Sequence, residues 1–66
     1  MKNRIKEYRA KVDMKQEKLA NEVGVSRQTI YAIEKGKYVP STLLALKLAR
    51  IFETSVEELF QLEEQD

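Results

Sequence analysis

Six residues between positions 26 and 32 of this 66-residue chain, Ser26, Arg27, Gln28, Thr29, Tyr31 and Ala32, surround an apolar pair three apart, Ile30 and Ile33. On a helix those two isoleucines point inward together, and the others stay off the buried face. Their chemistry suits one task well. An arginine fork pairs bidentately with guanine, a glutamine amide does the same with adenine, and the methyls of Thr29 and Ala32 match thymine methyls; each good bidentate pair discriminates by about 1–3 kcal/mol. The same residues also make an ordinary solvated helix surface, and packing on the core edge is the alternative for Tyr31. Rival chemistries find no support. Without cysteine or histidine the chain lacks thiolate ligands, the commonest metal ligand and the usual general base. Its glutamates are spaced as helix-surface charge with no nucleophile beside a base, so no enzyme, cofactor or metal is expected.

What positions these residues follows from the breakers Gly24, Gly36 and Pro40, which separate short runs of helical periodicity. In the first run, Ile5, Tyr8 and Val12 form a stripe, predicting a helix from about residue 3 to 12 with Asn3 as N-cap and Asp13 as its end. A second run, 16–23, places Leu19, Ala20 and Val23 on one face and stops at Gly24, where a left-handed conformation closes the helix. Ser26 caps a third helix ending at Lys35 and Gly36. Pro40 and Ser41 open a fourth, with Leu44, Ala45, Leu48 and Phe52 inward; Ser55 with Glu58 forms a capping box for a fifth carrying Val56, Leu59 and Phe60. Nothing reads as a sheet. The expected fold is all-α, a five-helix bundle in one domain, 1–66, with a charged tail at 63–66. A domain this small removes only about 60% of its unfolded surface from water, so its core must be continuous.

The two helices across Gly24 have the form of a helix-turn-helix over about residues 16–35. Ala20 is small where two steeply crossed helices approach most closely, and Leu19, Val25, Ile30 and Ile33 supply the apolar flanks. The third helix then directs its N-terminal end, with Ser26 at the cap, toward a major groove, and that end also attracts phosphate. Charge agrees without deciding the matter. Residues 1–38 carry ten Lys/Arg against five Asp/Glu, net +5, and residues 39–66 carry two against six, net −4, so the total of +1 conceals a basic half and an acidic half. Lys2, Lys6, Lys11 and Lys18 read as general solubilising charge. No stretch resembles a signal peptide or reaches 18 apolar residues, so the expected setting is the cytoplasm, with no membrane partner.

The segment QEKLANEVGVSRQTIYAIEKGK resembles the helix-turn-helix of the phage Cro and cI-type repressors, the XRE-like group with the lambda-repressor fold. KNRIKEYR, the loop containing Pro40, ALKLARIF and SVEELF extend the resemblance to nearly the whole chain. It implies sequence-specific binding of double-stranded DNA and transcriptional regulation, by repression through promoter occupancy. Carried over residue by residue, it implies that Gln16 bonds a backbone phosphate and that Arg27, Gln28 and Tyr31 contact bases or adjacent backbone. It further implies that Lys35, Lys37 and Tyr38 grip phosphates and that Arg9 pairs internally with Glu34. Four positions depart from the pattern: Asp13 and Glu53 replace glycines after the first and fourth helices, Lys15 replaces a capping Ser or Thr, and Thr42 replaces a leucine. The resemblance also implies a homodimer on a palindromic operator. Leu43, Leu46 and Leu62, off the core stripe, suit a dimer patch or are scattered surface apolars. No small-molecule effector is evident. The tail acids Glu63, Glu64 and Asp66 motivate one alternative, an antitoxin-like module that couples DNA binding to a basic protein partner.

Overall fold

The computed structural model describes residues 1–66. In chain order it contains β1 (Lys2–Asn3), α1 (Ile5–Lys11), α2 (Gln16–Val23), α3 (Arg27–Glu34), α4 (Thr42–Ile51), α5 (Val56–Leu59) and β2 (Phe60–Gln61). One continuous apolar cluster fills the interior, with Ile5, Leu19, Ile30, Ile33, Leu48 and Leu59 as its fully buried large side chains. Burying each such side chain contributes about 1.5–3 kcal/mol. The helices depend on this packing, because α2 and α3 have eight residues each, too few to persist alone in water. No helix is long and apolar enough to cross a membrane.

The five helices are accompanied by a two-stranded antiparallel ribbon that joins the termini, pairing Lys2 with Gln61 and Asn3 with Phe60. This corrects the expectation of no sheet, and it shifts two helix boundaries. Residues 2–3 are drawn into extended pairing and Arg4 N–H donates to the Leu59 carbonyl at 2.9 Å, so α1 begins at Ile5 and not at residue 3. Asn3 still receives the Ile5 amide on Oδ1, at 3.2 Å, from one residue before the N-cap position. At the other end, Phe60 leaves α5 for β2 and α5 is a single turn. Ser55 accepts the Glu58 amide at 3.1 Å, but the Glu58 carboxylate turns to Arg4, 3.8 Å away, so only half of the capping box forms. Val12 also departs from the expected stripe. The chain reverses at Asp13, leaving Val12 as the C-cap and 57% exposed, while Tyr8 packs on Phe52 with ring centroids 5.6 Å apart.

Three of the helix ends share one geometry. After α1, Asp13 N–H bonds Ala10 and Met14 N–H bonds Arg9; after α3, Gly36 bonds Ile33 and Lys37 bonds Ala32; after α4, Glu53 bonds Arg50 and Thr54 bonds Ala49. These paired bonds form the Schellman motif, whose first residue beyond the cap must be left-handed. Gly36 meets that demand without cost at φ 74°, whereas Asp13 and Glu53 sit at φ 54° and 52° with side chains attached. Left-handed backbone costs an L-residue roughly 1–2 kcal/mol, less for Asp than for Glu. Part of this is returned as extra unfolded-state entropy when glycine is substituted. Glu53→Gly should therefore raise stability by about 0.5–1 kcal/mol, or roughly 3–6 °C in Tm, and Asp13→Gly by less. Thermal melts of the two variants check the order.

The tail is folded back. Glu63 and Asp66 lie 2.9 and 3.0 Å from the Met1 ammonium. The Glu63 and Asp66 carboxylates raise the ammonium pKa, and the Glu63 amide, followed by the ammonium, lowers that of Asp66. The raised group stabilises the clasp until pH climbs through its titration, and the lowered one until pH falls through its own. The clasp should therefore be closed at neutral pH and open at both extremes, which the pH dependence of the Met1 and Glu63 NMR shifts checks.

Candidate nucleic-acid interface

The site is built on the crossing of α2 and α3. Ala20 is buried where the helices meet, and Gly24, at φ 78°, turns the chain so that Val25 N–H returns to the Ala20 carbonyl at 3.0 Å. Ser26 then starts α3, its Oγ accepting the Thr29 amide at 3.2 Å and lying 3.1 Å from Thr29 Oγ1. Ile30 and Ile33 anchor the helix in the core, leaving Arg27 and Gln28 exposed on its first turn and Tyr31 exposed one turn further on. Tyr31 is 49% exposed and carries Lys35 Nζ over its ring at 5.6 Å, which places it outside the core. Thr29 and Ala32 are only half-exposed, and the hydroxyls of Ser26 and Thr29 are occupied by the cap. The expectation that all five helix residues stand free of the core therefore applies fully to Arg27, Gln28 and Tyr31.

Arg9 and Glu34 brace this surface from behind. Arg9 Nε and Nη2 donate to the two Glu34 oxygens at 2.6 and 3.0 Å, and Nη1 donates to the Met14 carbonyl at 2.9 Å. The Arg9 side chain is 14% exposed and that of Glu34 7%. Gln16, at the start of α2, is half-exposed and donates Nε2 to Glu34 Oε1 at 3.1 Å. One network thus joins α1, α2 and α3.

Gln16 and Arg27 border the same polar cleft together with Arg9, Lys15 and Glu17. Lys15 is a member that reading the sequence missed, because it registers there only as a poor cap. It occupies the N-cap of α2 in extended conformation and makes no capping hydrogen bond. A cation at the positive end of a helix dipole is unfavourable in isolation, and that local conflict was the available signal that this position is unusual. Beyond the other end of α3, Lys35, Lys37 and Tyr38 are all exposed on the turn around Gly36. Cations therefore lie near both ends of α3, Lys15 by its N-terminus and Lys35 and Lys37 beyond its C-terminus, while the acidic residues 57, 58, 63 and 64 lie on α5 and the tail.

A helix-turn-helix family profile matches residues 5–59. The uncharacterized HTH-type transcriptional regulator YgzD of Bacillus subtilis is 56% identical over 66 residues, covering 100% of each chain. The cryptic phage CTXphi transcriptional repressor RstR of Vibrio cholerae is 35% identical over 57 residues, covering 86% of this chain and 51% of that one. Among solved structures, the restriction-modification controller protein C.AhdI of Aeromonas hydrophila superposes with a TM-score of 0.78 at 33% identity, covering 86% of each chain. Fold, site geometry and relatives agree: this chain belongs to the XRE-type helix-turn-helix family of DNA-binding transcriptional regulators.

Proposed function

We propose that the protein is a cytoplasmic repressor that binds a palindromic operator as a homodimer and acts by occupying a promoter. The observation that carries this reading is the exposed face of α3, with Arg27, Gln28 and Tyr31 free of the core and cations near both ends of the helix. Arg27 and Gln28 read base edges, Tyr31 contacts bases or the adjacent backbone, and Ser26, Thr29 and Ala32 complete the groove-facing surface. Gln16 and Lys15 hold phosphate on one side; Lys35, Lys37 and Tyr38 hold it on the other, fixing register without specifying sequence. Repression is favoured by the likeness to RstR, a phage transcriptional repressor.

A dimer is favoured by the exposure of Leu43, Leu46 and Leu62, the last 81% exposed, and by an apolar groove of about 380 Å³ between α4 and α5 that Leu46 borders with Pro40, Val56 and Phe60. The partner-dependent alternative has less behind it, because Glu63 and Asp66 already face the chain's own ammonium and leave Glu64 as the free acid of the three.

The test is selection of bound fragments from a randomised duplex library at near-physiological salt, with sedimentation of the free and DNA-bound protein. We expect an enriched palindrome with half-sites about 34–36 Å apart and two chains per site. Weak, steeply salt-dependent binding with no enriched sequence would refute the reading.

A further inference from the structure

We infer that Asn3 is a positioning residue for DNA binding: it ties the phosphate-holding turn at residues 35–38 to the N-terminal ribbon. The inference rests on the DNA-binding reading above and assigns a role to a residue outside that surface. Asn3 Nδ2 donates to the Ile33 carbonyl at 2.8 Å, thirty positions along the chain, while its Oδ1 accepts the Ile5 amide. The Ile33 carbonyl is the same one that receives Gly36 N–H at 2.9 Å in the Schellman turn ending α3. Both of its lone pairs are thereby used, one by the turn and one by Asn3.

The backbone of Asn3 is itself fixed by pairing with Phe60, and Arg4 N–H bonds Leu59. A second observation places the same elements together: a Cβ built on Gly36 would stand 3.8 Å from the Met1 carbonyl oxygen. The turn from which Lys37 and Tyr38 project therefore lies against the N-terminal residues 1–3 and is tied to them by the Asn3 side-chain amide. Exposed turns with few buried apolar contacts open at low free energy, so a single partly buried hydrogen bond has a large share in setting where their side chains point.

Asn3→Ala removes both bonds without changing charge. Asn3→Asp keeps the acceptor for the Ile5 amide, turns an acid oxygen toward the Ile33 carbonyl and adds one negative charge; Lys2→Gln makes the same charge change next door and leaves the tie intact. Two readouts apply to the full chain under conditions where circular dichroism shows each variant folded. Amide exchange at Gly36 and Lys37 should accelerate about tenfold in both Asn3 variants relative to Leu48, and remain as in wild type in Lys2→Gln. On the selected operator, the slope of log affinity against log salt should fall by about 1 in Asn3→Ala, the change expected when one fewer phosphate is neutralised. The preference for operator over a base-substituted operator should stay as in wild type.

If Asn3→Ala does not fold, Asn3→Asp carries the test, and its slope must fall further than that of Lys2→Gln. Unchanged exchange at Gly36 and Lys37, or an affinity loss with unchanged slope, overturns the inference. A wild-type chain that binds no duplex at all overturns the DNA-binding reading and this role with it, and exchange then reports the tie by itself.

Discussion

Arg9→Ala should lower the free energy of unfolding by up to about 3–5 kcal/mol, the range for removing one partner from a buried ion pair, since this pair is mostly but not fully buried. Glu34, whose side chain is only 7% exposed beside Arg9, would lose its cation, and Gln16 would remain its sole side-chain donor. A 66-residue domain has on the order of 3–10 kcal/mol to lose, so this single change brings the protein close to its unfolding threshold. Urea denaturation followed by circular dichroism measures it, with an expected fall in midpoint of about 2–3 M. The pair itself is a different quantity from its broken half. The double variant Arg9→Met with Glu34→Leu should recover most of the loss, because apolar residues of similar volume need no compensation. A shift below about 1 kcal/mol for Arg9→Ala would mean that solvent screens the pair as it does at a surface.

The second large effect falls on binding and leaves stability almost untouched. Arg27→Ala and Gln28→Ala should each weaken operator binding by about 1–3 kcal/mol, roughly five- to 150-fold, with relaxed preference at the base pair each one reads. Both side chains are exposed, so their melts should stay within about 0.5 kcal/mol of wild type. Arg9→Ala and Arg27→Ala thus remove the same guanidinium charge with opposite signatures. Titration of both Arg27 and Gln28 variants against the selected operator and an unrelated duplex decides the matter. Operator affinity equal to wild type in both would remove α3 from base recognition.

What was legible from sequence was local. The caps at Ser26, Ser41 and Ser55, the stop at Gly24 and the turn at Gly36 each rest on chemistry within a turn or so of the chain, and each appears where its signal stood. The apolar spacing of Leu19, Ala20, Val23, Ile30 and Ile33 was equally readable, since helical periodicity alone assigns an inner face. Asp13 and Glu53 were identifiable as substitutes for glycine, and both adopt positive φ, because the hydrogen bonds closing the turn impose the conformation whichever residue occupies it.

Tertiary structure alone decided the remainder. Two-residue strands carry no periodicity, so the pairing of residues 2–3 with 60–61 has no sequence signature, and it shortened α1 and α5 at once. Asn3 reads in sequence as a helix cap and nothing more; its second bond, to Ile33, exists because the ribbon carries it to the end of α3. Glu58 was assigned to Ser55 by spacing, yet it faces Arg4, because a cation brought close by folding competes with a backbone amide for the same carboxylate. Lys15 came to line a cleft with Arg27 only when folding set the α2 N-terminus beside α3. The division has one physical cause: capping and helical periodicity act over a few residues and are written into the order of the chain, whereas the partners of Asn3, Glu58 and Lys15 are determined by which distant segments share the core.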